Sequence, residues 1–214
     1  MKVMPPTLLV IAKEPVPGRV KTRLTPPCTP AQAAGLAAAA LEDTLQAALA
    51  ATHAGRRVLV LDGRPGAWVP DGFDVIPQRG DGLEERLAAA FADAGGPAFL
   101  VGMDTPQVTP EHLDAGLASL HDFDAVFGAS LDGGYWAIGL RRPDDAVFAG
   151  VPMSRGNTGA VQRARLAVLG LRTAVLPPLL DVDTIADAHV VADAAPDGAF
   201  ARALRAAVPG ELAA

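Results

Sequence analysis

The chain has 214 residues, half of them hydrophobic and a fifth charged, enough to build a core without disulfide or metal staples and too apolar to stay disordered. Its 18 Lys and Arg against 24 Asp and Glu leave a net charge of -6, the wrong overall field for wrapping nucleic acid or settling on an anionic membrane, though a local basic loop is compatible with it. The single cysteine, Cys28, cannot form an internal disulfide, the apolar run Thr7 to Ala12 stops too early for a signal peptide, and no stretch reads as a membrane span, so a soluble cytoplasmic protein is expected.

Thr7 to Ala12 is a short apolar run feeding a Pro/Gly-rich stretch, the pattern of a buried strand entering a loop. Pro30 to His53 is Ala/Leu-rich without internal proline and predicts a long helix, with Thr29 as N-cap and Pro30 at its first position. Arg57 to Asp62 and Phe73 to Pro77 read as strands, and Leu83, Leu87, Phe91 and Ala94 recur at helical spacing with Glu84, Glu85 and Arg86 facing outward. Ala98 to Gly102 is a further strand, followed by a helix over Pro110 to Leu120. Strands over Ala125 to Gly128 and Tyr135 to Gly139 flank the turn Leu131 to Gly134, a helix covers Ala160 to Leu169, and a last strand runs from Arg172 to Leu176, before Pro177-Pro178. From Asp183 on the chain reads as Ala-rich helix with a fraying end. This alternation predicts one α/β domain over residues 1–214 with a mostly parallel sheet, and in such sheets ligands bind beyond the carboxyl ends of the strands.

Four loops after strands stand out as candidates for the chemistry, the first of which could also be a Pro-stiffened connection with exposed basic residues. Lys13 to Leu24 holds two of only three lysines in the chain; Gly18 permits close backbone approach, and Lys21 as a point charge with Arg23 as a fork suits phosphate oxygens. The loop matches neither a Walker nor a GxGxxG pattern. Asp104, leaving an apolar strand, is a candidate ligand for magnesium or manganese, and equally a turn or cap residue before the next helix. Asp181 and Asp183, two apart in an extended segment, face the same way, and a divalent cation would relieve their repulsion; Asp183 alone could instead cap the helix near Ile185. Ser130 to Trp136 contains the lone tyrosine, Tyr135, with Trp136 and the pair Gly133 and Gly134, fitting either an acceptor pocket behind Asp132 or a hairpin turn over core aromatics. Asp122 and Asp124 share the two-residue spacing but lie at the opposite end of the sheet and read as a turn. The four histidines form no metal-binding spacing and default to surface or capping positions.

Taken in order, the segments KEPVPGRVKTRL, QRGDGLEERL, VGMDTP, LDGGYWAIGL, GVPMSRGNT and LPPLLDVDT resemble the DUF2064 family, over Thr7 to about Ala188. The resemblance implies the GT-A, or nucleotide-diphospho-sugar transferase, fold: a Rossmann-like, mostly parallel sheet with helices on both faces. The first and third segments also resemble 2-phospholactate guanylyltransferases and, more distantly, molybdenum-cofactor nucleotidyltransferases. On these patterns Lys13, Gly18, Lys21 and Arg23 would face nucleotide phosphates, Gln78 and Asp81 the base or ribose, and Asp104, Asp181 and Asp183 a Mg2+ or Mn2+ ion. A departure is that many GT-A enzymes carry D-x-D at the central strand end, where this chain has Asp104 followed by Thr105-Pro106.

The expected activity is a metal-dependent transferase with a nucleotide donor and a small-molecule acceptor. Lys21 and Arg23 would stabilise leaving-group charge, and Asp132 would bind or deprotonate an acceptor seated on Gly133, Gly134, Tyr135 and Trp136. Glycosyl transfer from a nucleoside-diphosphate sugar and nucleotidyl transfer from a triphosphate use the same residues, with glycosyl transfer put first on the family's name. A nucleotide-binding module without turnover is the reading from another class. Neither nucleic acid nor membrane is expected as a partner, and self-association stays open.

Overall fold

The computed structural model describes residues 5–208 of the chain. Its strands are β1 (Thr7–Lys13), β2 (Arg56–Asp62), β3 (Asp74–Pro77), β4 (Ala98–Gly102), β5 (Ala125–Ser130), β6 (Tyr135–Leu140) and β7 (Thr173–Leu179). They form one seven-stranded sheet in the order β3-β2-β1-β4-β6-β5-β7. Only β6 runs against its neighbours, pairing antiparallel with β4 and β5, while every other pairing is parallel. The consequence is functional: the carboxyl ends of the six other strands and the amino end of β6 reach the same edge.

The helices are α1 (Pro30–Ala50), α2 (Leu83–Ala94), α3 (Pro110–Ser119), α4 (Thr158–Val168), α5 (Ile185–Ala194) and α6 (Ala199–Ala207). Alternation along the strands sorts them onto both faces. Leu8 and Val10 of β1 join Leu41 and Leu45 of α1 and Leu113 and Leu117 of α3 in one core, while Leu9 joins Leu87 and Phe91 of α2 and Leu166 of α4 in the other. α1 is buried on a second side as well, where Ala33, Leu36 and Ala40 meet Val191 of α5 and Phe200 and Leu204 of α6. Its N-terminus is a capping box: the Thr29 side chain accepts from the Gln32 backbone N–H while Gln32 accepts from that of Thr29. Asp43 of α1 accepts from the backbone N–H groups of Ala199 and Phe200, both at 2.8 Å, and so anchors the start of α6.

Several expected boundaries shift for local reasons. α1 stops at Ala50 rather than running to His53, because Asp114 of α3 takes the Thr52 and His53 N–H groups at 3.1 and 2.8 Å. β7 continues through Pro177-Pro178 to Leu179, which an edge strand tolerates because one side needs no N–H donors. α4 opens at Thr158, two residues before Ala160. The expected single C-terminal helix is two helices, separated around Pro196 and Gly198, and its fraying end falls outside the described residues. Thr184, not Asp183, caps α5, and Thr109, not Asp104, caps α3. His112 completes the α3 capping box. No helix among the described residues is long and apolar enough to cross a membrane.

Candidate functional site

The shared strand edge opens into a cleft of about 800 Å³. One wall is the loop after β1, whose Lys13, Arg19, Lys21 and Arg23 line it. Lys21 adopts a left-handed backbone, φ 48°, immediately before the short 3-10 turn Thr22–Leu24, a conformation a lysine holds only where its surroundings fix it. They do: the side chain is only 8% exposed, its Nζ lies 2.5 Å from Asp104 Oδ1, and it also donates to the Val182 carbonyl. The next cation, Arg23, pairs with Asp183 at the rim.

The floor is built from the ends of β4 and β7. The Val182 N–H donates to the Asp104 carbonyl at 2.8 Å, and Gln107 Nε2 donates to the Leu180 carbonyl at 2.7 Å, so the segment carrying Asp181 and Asp183 is tied to the segment carrying Asp104. Asp181 is the carboxylate most strongly affected. Burial, reinforced by the negative charges of Asp104 and Asp132, pushes its pKa up to about 7, against smaller opposing effects of the Ser130 hydroxyl and Lys21. Its Oδ1 is buried and has no hydrogen-bond partner among the described residues.

The far wall comes from the β5–β6 turn and the loop before α4. Asp132 Oδ1 accepts from the Gly134 N–H at 2.8 Å, leaving its other oxygen for the cleft. Tyr135 lines the cleft, its hydroxyl 3.8 Å from Met153 Sδ, and burial pushes the phenol pKa well above its ordinary value.

The remaining expected residues take more varied places. Gln78 and Asp81 line the cleft, yet the Gln78 amide donates to the Ala12 and Val60 carbonyls at 2.8 and 3.2 Å and accepts from Arg86. Gln78 therefore ties strands β1 and β2 together and holds Arg86. Contrary to its expected outward position, Arg86 turns into the cleft wall and pairs with Asp62 at 3.1 Å. Gly18, at φ 77°, shapes the loop but is not among the lining residues. Gly133 is also not a lining residue: a Cβ there would sit 2.0 Å from the Gly156 carbonyl oxygen, so the turn is packed against backbone.

Gly134 and Trp136 line the cleft with Tyr135, and Trp136 is at the same time a core residue, as the hairpin alternative expects. It is 2% exposed, its indole N–H donates to the Pro177 carbonyl at 3.1 Å, and its ring packs edge-on against Phe99 and His112. Its contribution is to the floor beneath the cleft. Asp124, set aside in the sequence as a turn residue, holds Arg141 and Arg172 at the opposite end of the sheet, and the Arg141 guanidinium keeps its carboxyl below the usual range. Cys28 is buried in the core beside α1. Sequence reasoning assigned no role to Arg19, Arg86 or Arg155, all of which line the cleft; Arg19 alone carried a signal, standing between Gly18 and Lys21.

The acidic residues fit a divalent cation in part. Among the described residues no three Asp, Glu, His or Cys side chains close into a metal-holding group, and Asp183 is engaged by Arg23 rather than converging with Asp181. What remains is an oxygen-only set, Asp104 and Asp181 with Asp132 nearby, holding one buried unpartnered carboxylate oxygen and unrelieved like-charge repulsion. That donor set suits a hard ion such as Mg2+ or Mn2+ held by one or two carboxylates and completed by phosphate oxygens.

A basic loop after the first strand, facing acidic strand ends across an open α/β sheet, is the layout of the nucleotide-diphospho-sugar transferase fold. The chain belongs to the DUF2064 family, described as an uncharacterized protein conserved in bacteria, whose family model matches residues 35–155. A provisionally named nucleotide-diphospho-sugar transferase from Desulfovibrio desulfuricans G20 is 27% identical, with a TM-score of 0.83 and 94% of each chain covered. The CMP:2-keto-3-deoxy-manno-octonic acid synthetase complexed with CTP is 14% identical, with a TM-score of 0.58 over 90% of this chain and 99% of that one. The Mycobacterium tuberculosis H37Rv protein Rv0371c, in complex with manganese, is 21% identical, with a TM-score of 0.50 over 88% and 98%. The last two likenesses are of fold. No curated protein matches the chain by sequence.

Proposed function

We propose that the chain is a nucleotide-dependent transferase, a single GT-A-like domain that takes a nucleoside-diphosphate sugar and passes the sugar to a small-molecule acceptor. The observation that carries this reading is Lys21, a buried ammonium held between Asp104 and the Val182 carbonyl where the basic loop meets the acidic floor. A diphosphate has a natural seat there, with Lys13, Arg19, Lys21 and Arg23 on one side and a cation on Asp104 and Asp181 on the other. The manganese in the M. tuberculosis relative supports a divalent ion, and the likeness to the D. desulfuricans protein supports a nucleotide-sugar donor.

When bound, Mg2+ or Mn2+ supplies charge neutralisation at the phosphates. Lys21 and Arg23 offset the negative charge gathering on the departing nucleoside diphosphate. Asp132, with one oxygen fixed by Gly134, takes the proton from the acceptor hydroxyl as that oxygen bonds to the anomeric carbon and the carbon–phosphate oxygen bond breaks. Gln78 and Arg86 form the wall where the nucleoside lies.

A second reading, nucleotidyl transfer, is favoured by one feature. The β4 end offers Asp104 alone, because Thr105 and Pro106 stand where a D-x-D pair would place its second carboxylate, and the fold is that of a synthetase complexed with CTP. In that reaction an acceptor oxygen attacks the α-phosphorus of a triphosphate and pyrophosphate leaves. One assay separates the two: the purified chain, Mn2+ and a mixed acceptor extract are incubated with nucleotide sugars or with nucleoside triphosphates. Release of nucleoside diphosphate from a nucleotide sugar is the expected result, pyrophosphate release from a triphosphate selects the second reading, and absence of both leaves binding without turnover.

A further inference from the structure

The cleft wall opposite Lys21 carries a cation that the donor chemistry does not use. Four arginines line the cleft: Arg19, Arg23, Arg86 and Arg155. Arg23 and Arg86 are paired with Asp183 and Asp62, and Arg19 belongs to the same loop as Lys13 and Lys21. Arg155 comes from the other half of the sheet, from the loop leading into α4, and its exposed guanidinium has no ion pair or hydrogen bond among the described residues. Arg56, Arg79 and Arg141 pair with Asp74, Asp93 and Asp124; among the arginines left without such a partner, only Arg19 and Arg155 line the cleft.

The loop that carries Arg155 is held by its own hydrogen bonds. The buried Thr158 hydroxyl accepts from the Arg155 N–H at 3.0 Å and donates to the Pro152 carbonyl at 2.7 Å, and the Thr158 N–H returns to the Arg155 carbonyl at 3.0 Å. Ser154 beside it holds φ 58°, a left-handed conformation that the surrounding contacts must maintain. The loop is seated on the Asp132 turn: the Gly159 N–H donates to the Gly133 carbonyl at 2.9 Å, and neither Gly133 nor Gly159 has room for a Cβ against the facing backbone. Arg155 and Asp132 are thereby carried by one rigid unit.

An acceptor reaching Asp132 enters the cleft that Arg155 also lines, beside the unit that carries both residues. An acceptor carrying a carboxylate or phosphate gains most from such an arginine, because the guanidinium fork matches the geometry of these groups and the bonds are charge-assisted. We infer that Arg155 is a specificity-determining residue for the acceptor, and that the acceptor carries an anionic group, a carboxylate or a phosphate. This deepens the transferase reading and rests on it.

The test uses the intact chain, with Mn2+ and whichever of UDP, GDP, CDP or ADP binds most tightly held at saturation, so that the β1 loop is filled. Glycerol 3-phosphate, lactate and neutral glycerol are then titrated calorimetrically into the wild type, Arg155→Ala and Arg155→Lys. One of the two anions should bind the wild type at least tenfold more tightly than glycerol, which also identifies the group as phosphate or carboxylate. Arg155→Ala should lose that preference, Arg155→Lys should retain part of it, and nucleoside-diphosphate affinity should change less than twofold in both. Equal anion binding by the wild type and Arg155→Ala, or no preference over glycerol in the wild type, would overturn the assignment. A tenfold loss of nucleoside-diphosphate affinity in Arg155→Ala would also overturn it, moving Arg155 to the donor. Failure of all four nucleotides to bind the wild type would instead bring down the transferase reading, and the anion titrations on the protein alone still report on Arg155.

Discussion

Asp181 illustrates how a single carboxylate can work against the fold and for the site. Its pKa stands near 7 in the folded chain, because burial and the charges of Asp104 and Asp132 disfavour the anion; unfolded, it titrates near 3.8. The folded state therefore binds the proton more tightly, so the stability it contributes is full below about pH 4 and is lost as pH rises through 7. Without divalent metal, melting temperature should fall between pH 5 and 8, and Asp181→Asn should flatten that slope and raise stability at pH 8 by at most about 4 kcal/mol. Scanning fluorimetry in chelator across this range checks it; an unchanged slope in the variant would place the pH dependence elsewhere. Lys21 gives the complementary prediction. Lys21→Ala should reduce kcat/KM by roughly 10²- to 10³-fold, the usual loss for a group that stabilises transition-state charge, and a steady-state assay with the donor identified above measures it.

At the scale of elements, the β5–β6 turn and the α4 loop are locked by backbone contact. Gly133→Ala would need its Cβ 2.0 Å from the Gly156 carbonyl oxygen at φ 93°, so urea unfolding should show a loss of about 2–4 kcal/mol, whereas Gly18→Ala, at φ 77° with open space around it, should cost only about 1–2 kcal/mol. Asp43→Ala should cost about 1–2 kcal/mol by uncapping α6. Element types could be read from the sequence because hydrophobic spacing reports them locally. Thr29 and Pro30 marked the start of α1, and the Leu131 to Gly134 turn marked the β5–β6 hairpin. What could not be read were ends set by distant partners, such as Asp114 stopping α1, and the role of Trp136, whose core position depends on Phe99, His112 and Pro177.

At the scale of the molecule, six strands running the same way, with β6 starting where they end, bring segments from residue 13 to residue 183 to one edge. Periodicity placed chemistry-bearing residues after strands, and the resemblance grouped Lys13, Lys21, Asp104 and Asp181 before their geometry was known. Partner choice was not legible: Asp183 goes to Arg23, Gln78 to Arg86, and Arg155 to neither, since pairing is decided by how loops from distant parts of the chain meet. On the proposed function, the basic loop and the acidic floor bind one metal–nucleotide ligand together. This is tested most directly by calorimetric titration of a nucleoside diphosphate into the wild type and Asp104→Asn, each with Mn2+ and with chelator. Chelator should weaken binding to the wild type at least tenfold, and Asp104→Asn in Mn2+ should fall toward the chelated wild type. Equal affinity with and without metal, or an Asp104→Asn variant that binds as the wild type does, would contradict it.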